Sequence, residues 1–197
     1  MEPEMIKELL LQSLEHEKGG TKVYQTALKC VVNEDLKEEW QEYLEQTEKH
    51  VQVLHDACLQ LEVDPEEQTP GRKITHDMGA SLVAAMEAAL GTGDKEMAQC
   101  VAAECIVHAE TTDHFNWQLI GEVSKKMTGA EGKALKDAYA EVEEQEDEHL
   151  YHSKGWLREL SLQGLGLKAQ LPPPEEEHHV KSAIGQARVE HSRTKSR

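Results

Sequence analysis

The sequence predicts an all-α protein, one helical domain followed by a polar tail, and three observations lead there. Ala, Leu, Glu, Lys and Gln, all strong helix formers, abound, while aromatic residues make up only 4% of the chain. Apolar residues recur at helical spacing over long stretches, and no stretch shows the alternation of a strand. The chain has 197 residues, enough for one domain with a substantial core and too few for two large ones.

The first helix is expected to begin near Pro3, with Glu2 and Glu4 placed at its positive end. Its apolar line runs through Ile6, Leu10 and Leu14, passes through Glu17, and resumes at Tyr24, Leu28 and Val31. Glu17 therefore points inward. Gly19-Gly20, costly in a helix interior, is tolerated where a neighbouring backbone or a ligand comes close. Asn33 caps a second helix reaching about Val63, stopped by Asp64-Pro65. Its inward line is Trp40, Leu44, Thr47, Val51 with His50, Leu54, Cys58 and Leu61, flanked by Glu45 and Glu48.

Residues 64–74 hold two prolines and a glycine and read as a loop. A shorter helix from Thr75 to Leu90 carries Met78, Leu82, Ala85 and Met86 on one side. After Gly91-Thr92-Gly93, Asp94 caps a helix running to about Lys126. Within it, Glu104, His108, Thr111 and Phe115 fall on one line and Ala103, Val107, Glu110, His114 and Trp117 on another, so both mix apolar residues with metal-liganding ones. Thr128 with Glu131 forms a capping-box pattern for the last long helix, which extends to about Leu162 before Gly164 and Gly166. Its apolar line, Leu135, Tyr139, Val142, Glu146, His149, Ser153, Trp156 and Leu160, is interrupted by Glu146 and His149. Glu143 lies at its edge.

The domain is thus expected over 1–164 and a flexible tail over 165–197. The tail opens on a Pro-rich, Glu-rich run through His178-His179 and includes a weak helix over Val180–Val189. His178 and His179 read as tail chemistry and not as a metal site.

Net charge is −17; from Leu165 onward six Lys/Arg against four Glu leave +2, so the first 164 residues carry −19. That balance argues against a nucleic-acid partner and suits a protein that tolerates or attracts cations. No run approaches the roughly 18–20 apolar residues of a membrane span, and the first residues lack the basic and apolar regions of a signal peptide. A cytoplasmic location is expected. Cys30, Cys58, Cys100 and Cys105 have no CxxC spacing and read as reduced core residues.

An inward Glu on the first helix, a His on the second, Glu on the next long helix and Glu-x-x-His on the last approach the pattern with which helical bundles hold two metal ions, a Glu from each of two helices plus Glu-x-x-His from each of the others. Two ions about 3.5–4 Å apart need bridging and terminal carboxylates and imidazoles converging from several directions. The spacing from Glu17 to His50 is 33 residues, and so is that from Glu110 to Glu143, as a duplicated helical hairpin would give. The candidate ligands are Glu17, His50, Glu110, Glu143, Glu146 and His149, with Glu104, His108 and His114 as further candidates. On the last helix two registers compete, Glu143 with Glu146 or Asp147, and Glu146 with His149.

Through Glu17-Lys18, Leu44-Glu45-Gln46-Thr47-x-x-His50-Val51, Val107-His108-Ala109-Glu110 and Glu143-Glu144-x-x-Asp147, the chain resembles the ferritin-like superfamily. Within it, the likeness is to the bacterial stress-associated group with a short extra helix between two helical hairpins. The resemblance implies a ferritin-like four-helix bundle with an additional short helix. It further implies two iron ions, with manganese as the alternative metal, and Fe(II) oxidation or an oxidative-stress role. Thr47 departs from the family pattern, which places Glu there, so a ligand is missing unless Glu45 or Glu48 replaces it. That departure favours a non-enzymatic helical stress or interaction protein with a degenerate site. A di-iron oxygenase is a further alternative, requiring an apolar cavity that Met86, Phe115 and Trp117 would line. Nothing specifies a closed multi-subunit shell; a homodimer is the more modest expectation.

Overall fold

The computed structural model describes residues 2–177, and the tail expectations at His178, His179 and Val180–Val189 lie outside them. Five α-helices follow one another, α1 (Pro3–Cys30), α2 (Glu34–Gln60), α3 (Pro70–Gly91), α4 (Lys95–Ser124) and α5 (Gly129–Gly164), with a 3₁₀ turn at Pro174–Glu177 and no strand among the described residues. The protein is all-α. No described helix is long and apolar enough to cross a membrane.

Capping side chains explain most helix starts. Asn33 accepts from the Leu36 amide and Asp94 from that of Met97, as their positions predict. Thr128 occupies the cap position of α5 but forms no side-chain cap bond, so the expected capping box is absent. α3 begins five residues earlier than expected, at Pro70, because Thr69 caps it by accepting from the Arg72 amide and Pro70 takes a first-turn position. The proline and glycine read as loop residues are the start of a helix. At the end of α2, Glu62 adopts a left-handed conformation with φ 58°, and the Val63 amide bonds to the Cys58 carbonyl at 2.9 Å. This is the six-to-one bond of a helix terminus usually closed by glycine.

The α1–α2 and α4–α5 pairs are antiparallel hairpins. α1 packs on α2 and α4, and α5 packs on α4 and α2, so the four long helices close a ring; α3 lies outside it against α1 and α4. The glycine pair explains part of that placement. A Cβ on Gly19 would lie 3.9 Å from the Gly79 backbone of α3, and one on Gly20 would lie 3.3 Å from the Thr47 methyl of α2. Gly79 and Thr47 each approach α1 closely at this point. α3 covers less than its sequence suggests, since Ile74 and Met78 are each 61% exposed and only Arg72, Met86 and Ala89 are buried.

Arg72 fastens this region. Its Nε donates to Glu15 Oε2 at 2.9 Å, and its Nη1 donates to the Pro65 and Glu67 carbonyls at 2.5 and 3.1 Å. Beyond α5 the chain turns back, with Arg158 paired to Glu175 and with Pro173 and Glu176 against Gly155. This stretch of the expected tail therefore packs on α5.

The apolar core is divided into two halves. One contains Tyr24, Ala27, Trp40, Tyr43, Ala102, Ile106 and Trp156; the other contains Leu10, Leu14, Leu54, Trp117, Ile120, Leu135 and Val142. On every long helix buried polar residues lie between the two halves: Glu17 on α1, Gln46, Thr47 and His50 on α2, Glu110 and Asp113 on α4, and Glu146 and His149 on α5. Their burial at mid-bundle costs free energy unless partners satisfy them.

Candidate metal centre

The interruptions in the apolar lines meet in space. Glu17 of α1, His50 of α2, Glu110 and Asp113 of α4, and Glu146 and His149 of α5 are all buried, none more than 4% exposed. Ligand atoms of His50, Glu146 and His149 lie within 4.8 Å of one another, and so do those of Glu17, Asp113 and Glu146. Glu146 belongs to both groups. A buried His/Glu cluster of this kind could hold a metal ion.

Both imidazoles are held from behind. His50 Nε2 donates to Gln145 Oε1 at 2.7 Å, and His149 Nε2 donates to Gln46 Oε1 at 2.7 Å. An amide oxygen can only accept, so each bond fixes the Nε2–H form and turns Nδ1 toward the carboxylates. This back-side bond to the second ring nitrogen is the usual support of a metal-binding histidine. His50 Nδ1 stands 3.0 Å from Glu146 Oε1 and 3.5 Å from Glu17 Oε1; His149 Nδ1 stands 3.6 Å from Glu110 Oε2 and 3.9 Å from Glu146 Oε1. The 3.0 Å approach of His50 Nδ1 to Glu146 Oε1 is an ion-pair contact when the imidazole is protonated.

Two aromatic donors orient the carboxylates. Trp117 Nε1 donates to Glu17 Oε1 and Tyr24 Oη to Glu110 Oε1, each at 2.8 Å. The other oxygens face inward: Glu17 Oε2, Glu110 Oε2, Asp113 Oδ1 and both Glu146 oxygens have no hydrogen-bond partner among the described residues. Unsatisfied buried acceptors are rare in folded proteins. Here they converge.

Their electrostatics follow from crowding. Burial and then the Glu17, Glu146 and Glu110 charges push Asp113 well above the usual carboxyl range. Burial raises Glu146 to about 7 despite the opposing His50 contact. Burial alone would depress His50, but Glu146 and Glu17 overcome it and raise the imidazole to about 11. Glu110 is lowered: burial is outweighed by His149 and the Tyr24 hydroxyl. Without a cation the cluster holds protons where a cation's charge would otherwise go.

Of the sequence-predicted ligands, the structure brings together Glu17, His50, Glu110, Glu146 and His149. Glu143 is not among them: it is exposed and accepts from Tyr139 Oη at 2.8 Å. The pair that faces the buried cluster from α5 is Glu146 with His149. Glu104, His108, Thr111 and Phe115 form an exposed face of α4, so that line contributes nothing to the centre. His114 pairs instead with Asp147 at 2.8 Å. Glu45 and Glu48 are exposed and cannot stand in for Thr47, which is buried.

Asp113 was absent from the sequence-based set, although it lies three residues after Glu110, four before Trp117 and 33 before Glu146. The repeated 33-residue spacing joins it to Glu146. A further buried network was also unforeseen: Glu39 Oε2 accepts from Trp156 Nε1 at 2.6 Å, while Glu39 Oε1 accepts from Tyr43 Oη at 2.8 Å and lies 3.1 Å from His152 Nδ1. It adjoins the centre through Tyr43, whose ring lies 4.2 Å from that of His149. Comparisons with protein-family models, curated proteins and solved structures give no match.

Proposed function

We propose that the chain is a ferritin-like metal-binding protein with a dinuclear carboxylate/histidine centre for iron, or manganese in its place, at which Fe(II) would be oxidised to Fe(III) with oxygen or peroxide as the electron acceptor. One observation carries the reading: inward-facing oxygens of four buried carboxylates and the Nδ1 atoms of two amide-anchored imidazoles converge on one region. Four carboxylates with two histidines is the donor complement of the di-iron bundle pattern. The difference is placement, with Asp113 on α4 supplying the carboxylate that Thr47 does not supply on α2. Glu146, shared by both donor groups, would serve both sides, with His50 and His149 on one and Glu17 and Asp113 on the other, and Glu110 would join the side of His149.

The bound metal would supply Lewis acidity and one-electron redox chemistry. The residues around it supply the rest. Gln145 and Gln46 hold the imidazoles, and Trp117 and Tyr24 hold Glu17 and Glu110. The two apolar halves of the core keep water from either end of the centre, which strengthens the charge interactions there.

A metal-free bundle held by buried polar pairs is the reading that Thr47 favours, and the crowding of four buried carboxylates around two imidazoles opposes it. An oxygenase needs a substrate cavity, and Met86, Phe115 and Trp117 do not form one. Met86 and Trp117 sit in opposite halves of the core, and Phe115 is 56% exposed. A groove of about 390 Å³ between α2 and α5 includes none of the site residues.

Anaerobic loading with Fe(II), desalting and elemental analysis test the reading. About two irons per chain, lost in a Glu17→Gln, Glu146→Gln variant that keeps its helical circular dichroism, is the expected result. Wild-type protein retaining neither iron nor manganese would refute it.

A further inference from the structure

A cleft of about 150 Å³ opens between α4 and α5 and reaches the buried centre. Its lining includes Glu143, Asp147, His114, Tyr139, Glu146 and Trp117. The α5 carboxylates stand at graded depth along it: Glu143 is exposed, the Asp147 side chain is 32% exposed, and that of Glu146 is 2% exposed. Glu146 ends the series with both oxygens lacking a hydrogen-bond partner. Resting on the proposed metal function, we infer that this cleft is the route by which cations reach the centre, with Glu143 and Asp147 collecting a hydrated ion and passing it to Glu146.

The geometry fits that role better than ligation by the outer pair. Glu143 and Asp147 are one helical turn apart on the face that carries Glu146 between them. Tyr139 Oη holds Glu143 at 2.8 Å and His114 Nε2 holds Asp147 at 2.8 Å, so both carboxylates are fixed at the cleft wall. The cleft has room for several waters, and so for a cation that keeps part of its hydration shell. Each carboxylate replaces lost water ligands as the ion moves inward, so dehydration is divided into smaller steps. Trp117 closes the inner end, its indole N–H turned to Glu17. An acidic lining of this kind raises the local cation concentration, an effect that falls with ionic strength.

Stopped-flow uptake of Co(II), followed by its ligand-field absorption, separates access from binding. Glu143→Gln alone and Glu143→Gln, Asp147→Asn together are compared with wild type and with Glu45→Gln, Glu48→Gln, which removes equal charge from exposed positions on α2. The single exchange, at an exposed position, guards against misfolding of the double variant. Expected at low salt is uptake slowed by about threefold or more in the double variant, less in the single, with unchanged final absorption and a gap that narrows as salt rises. Wild-type rates in both cleft variants, or equal slowing in the α2 control, would overturn the inference while leaving the centre intact. Loss of final absorption in the cleft variants would also overturn it, by making Glu143 or Asp147 ligands. Absence of any cobalt spectrum in wild type removes the metal function itself, and the route with it.

Discussion

Glu146→Gln separates the cost of the centre from its use. Glu146 is raised from 4.5 to about 7, first by burial and then by the Glu17 and Glu110 charges. Its folded value lies above its unfolded one, so its contribution to stability is complete below about pH 4.5 and is lost as pH rises through about 7. At about 1.4 kcal/mol per pH unit, ionised Glu146 costs the metal-free fold ~3 kcal/mol at pH 8. Glutamine has the shape of the neutral acid and cannot ionise. Metal-free Glu146→Gln should therefore match wild type near pH 4 and exceed it by ~1–3 kcal/mol at pH 8, on the order of 3–10 °C in Tm. With Fe(II) or Mn(II) the order should reverse if the proposed function holds, because a carboxylate would hold the cation and a neutral amide would hold it far less well. Thermal melts by circular dichroism at both pH values, with and without metal, check this. Metal-free Glu146→Gln melting below wild type at pH 8 would show that the carboxylate supports the empty fold, contrary to this reasoning.

Three further outcomes are expected. Metal affinity should rise by about tenfold or more per pH unit between about pH 6 and 8, because a cation must displace the proton that His50, raised to about 11, still holds there; calorimetric titration in buffers of different ionisation enthalpy counts the protons released. Glu62→Gly should raise the urea midpoint and add about 0.5–1 kcal/mol, since φ 58° suits glycine at this helix end. Arg72→Met should lower stability by about 2–4 kcal/mol in the same denaturation assay, by leaving Glu15 and the Pro65 and Glu67 carbonyls without the guanidinium.

What could be read from the sequence was what interrupts a regular pattern. Glu17, Glu146 and His149 stand where an apolar line demands Leu or Val, and each proves buried in the polar layer. Helix starts at Asn33 and Asp94 were legible because capping is local chemistry. α3 was misplaced because Pro70-Gly71 signals a turn and a helix start equally well, and only the Thr69 side chain decides between them. Met78 was placed on the apolar side of α3, yet it is 61% exposed, because periodicity shows that a helix has an apolar face, not whether a neighbour covers it. Gln46 and Gln145 could not be assigned: their partners, His149 and His50, lie 103 and 95 residues away, respectively, and depend on the register between α2 and α5. The α4 line was misread by a fraction of a turn. That hid Asp113 and promoted Glu104 and His108 to a face that is exposed.

Thr47 and Asp113 together make the strongest case that donor number, and not a motif on a given helix, is what the centre requires. Thr47 stands one turn before His50 on the buried face of α2, where the di-iron bundle pattern has a carboxylate, and its methyl packs toward Gly20. Asp113 brings a carboxylate from α4, with Oδ1 unpartnered and buried. If the two positions supply one requirement, they should compensate for each other. Asp113→Ser should weaken metal binding by about tenfold or more, in the range that loss of a supporting group causes elsewhere. Adding Thr47→Glu should restore much of it, since it returns a carboxylate to the buried face of α2 one turn before His50. Thr47→Glu alone should gain little, because it adds a fifth buried carboxylate to a centre whose protons already mark an excess of negative charge. Competition titration with a chromogenic chelator across the four proteins of this cycle measures the coupling. Independent effects of the two substitutions would mean that Asp113 is a bystander and that the centre lacks a ligand.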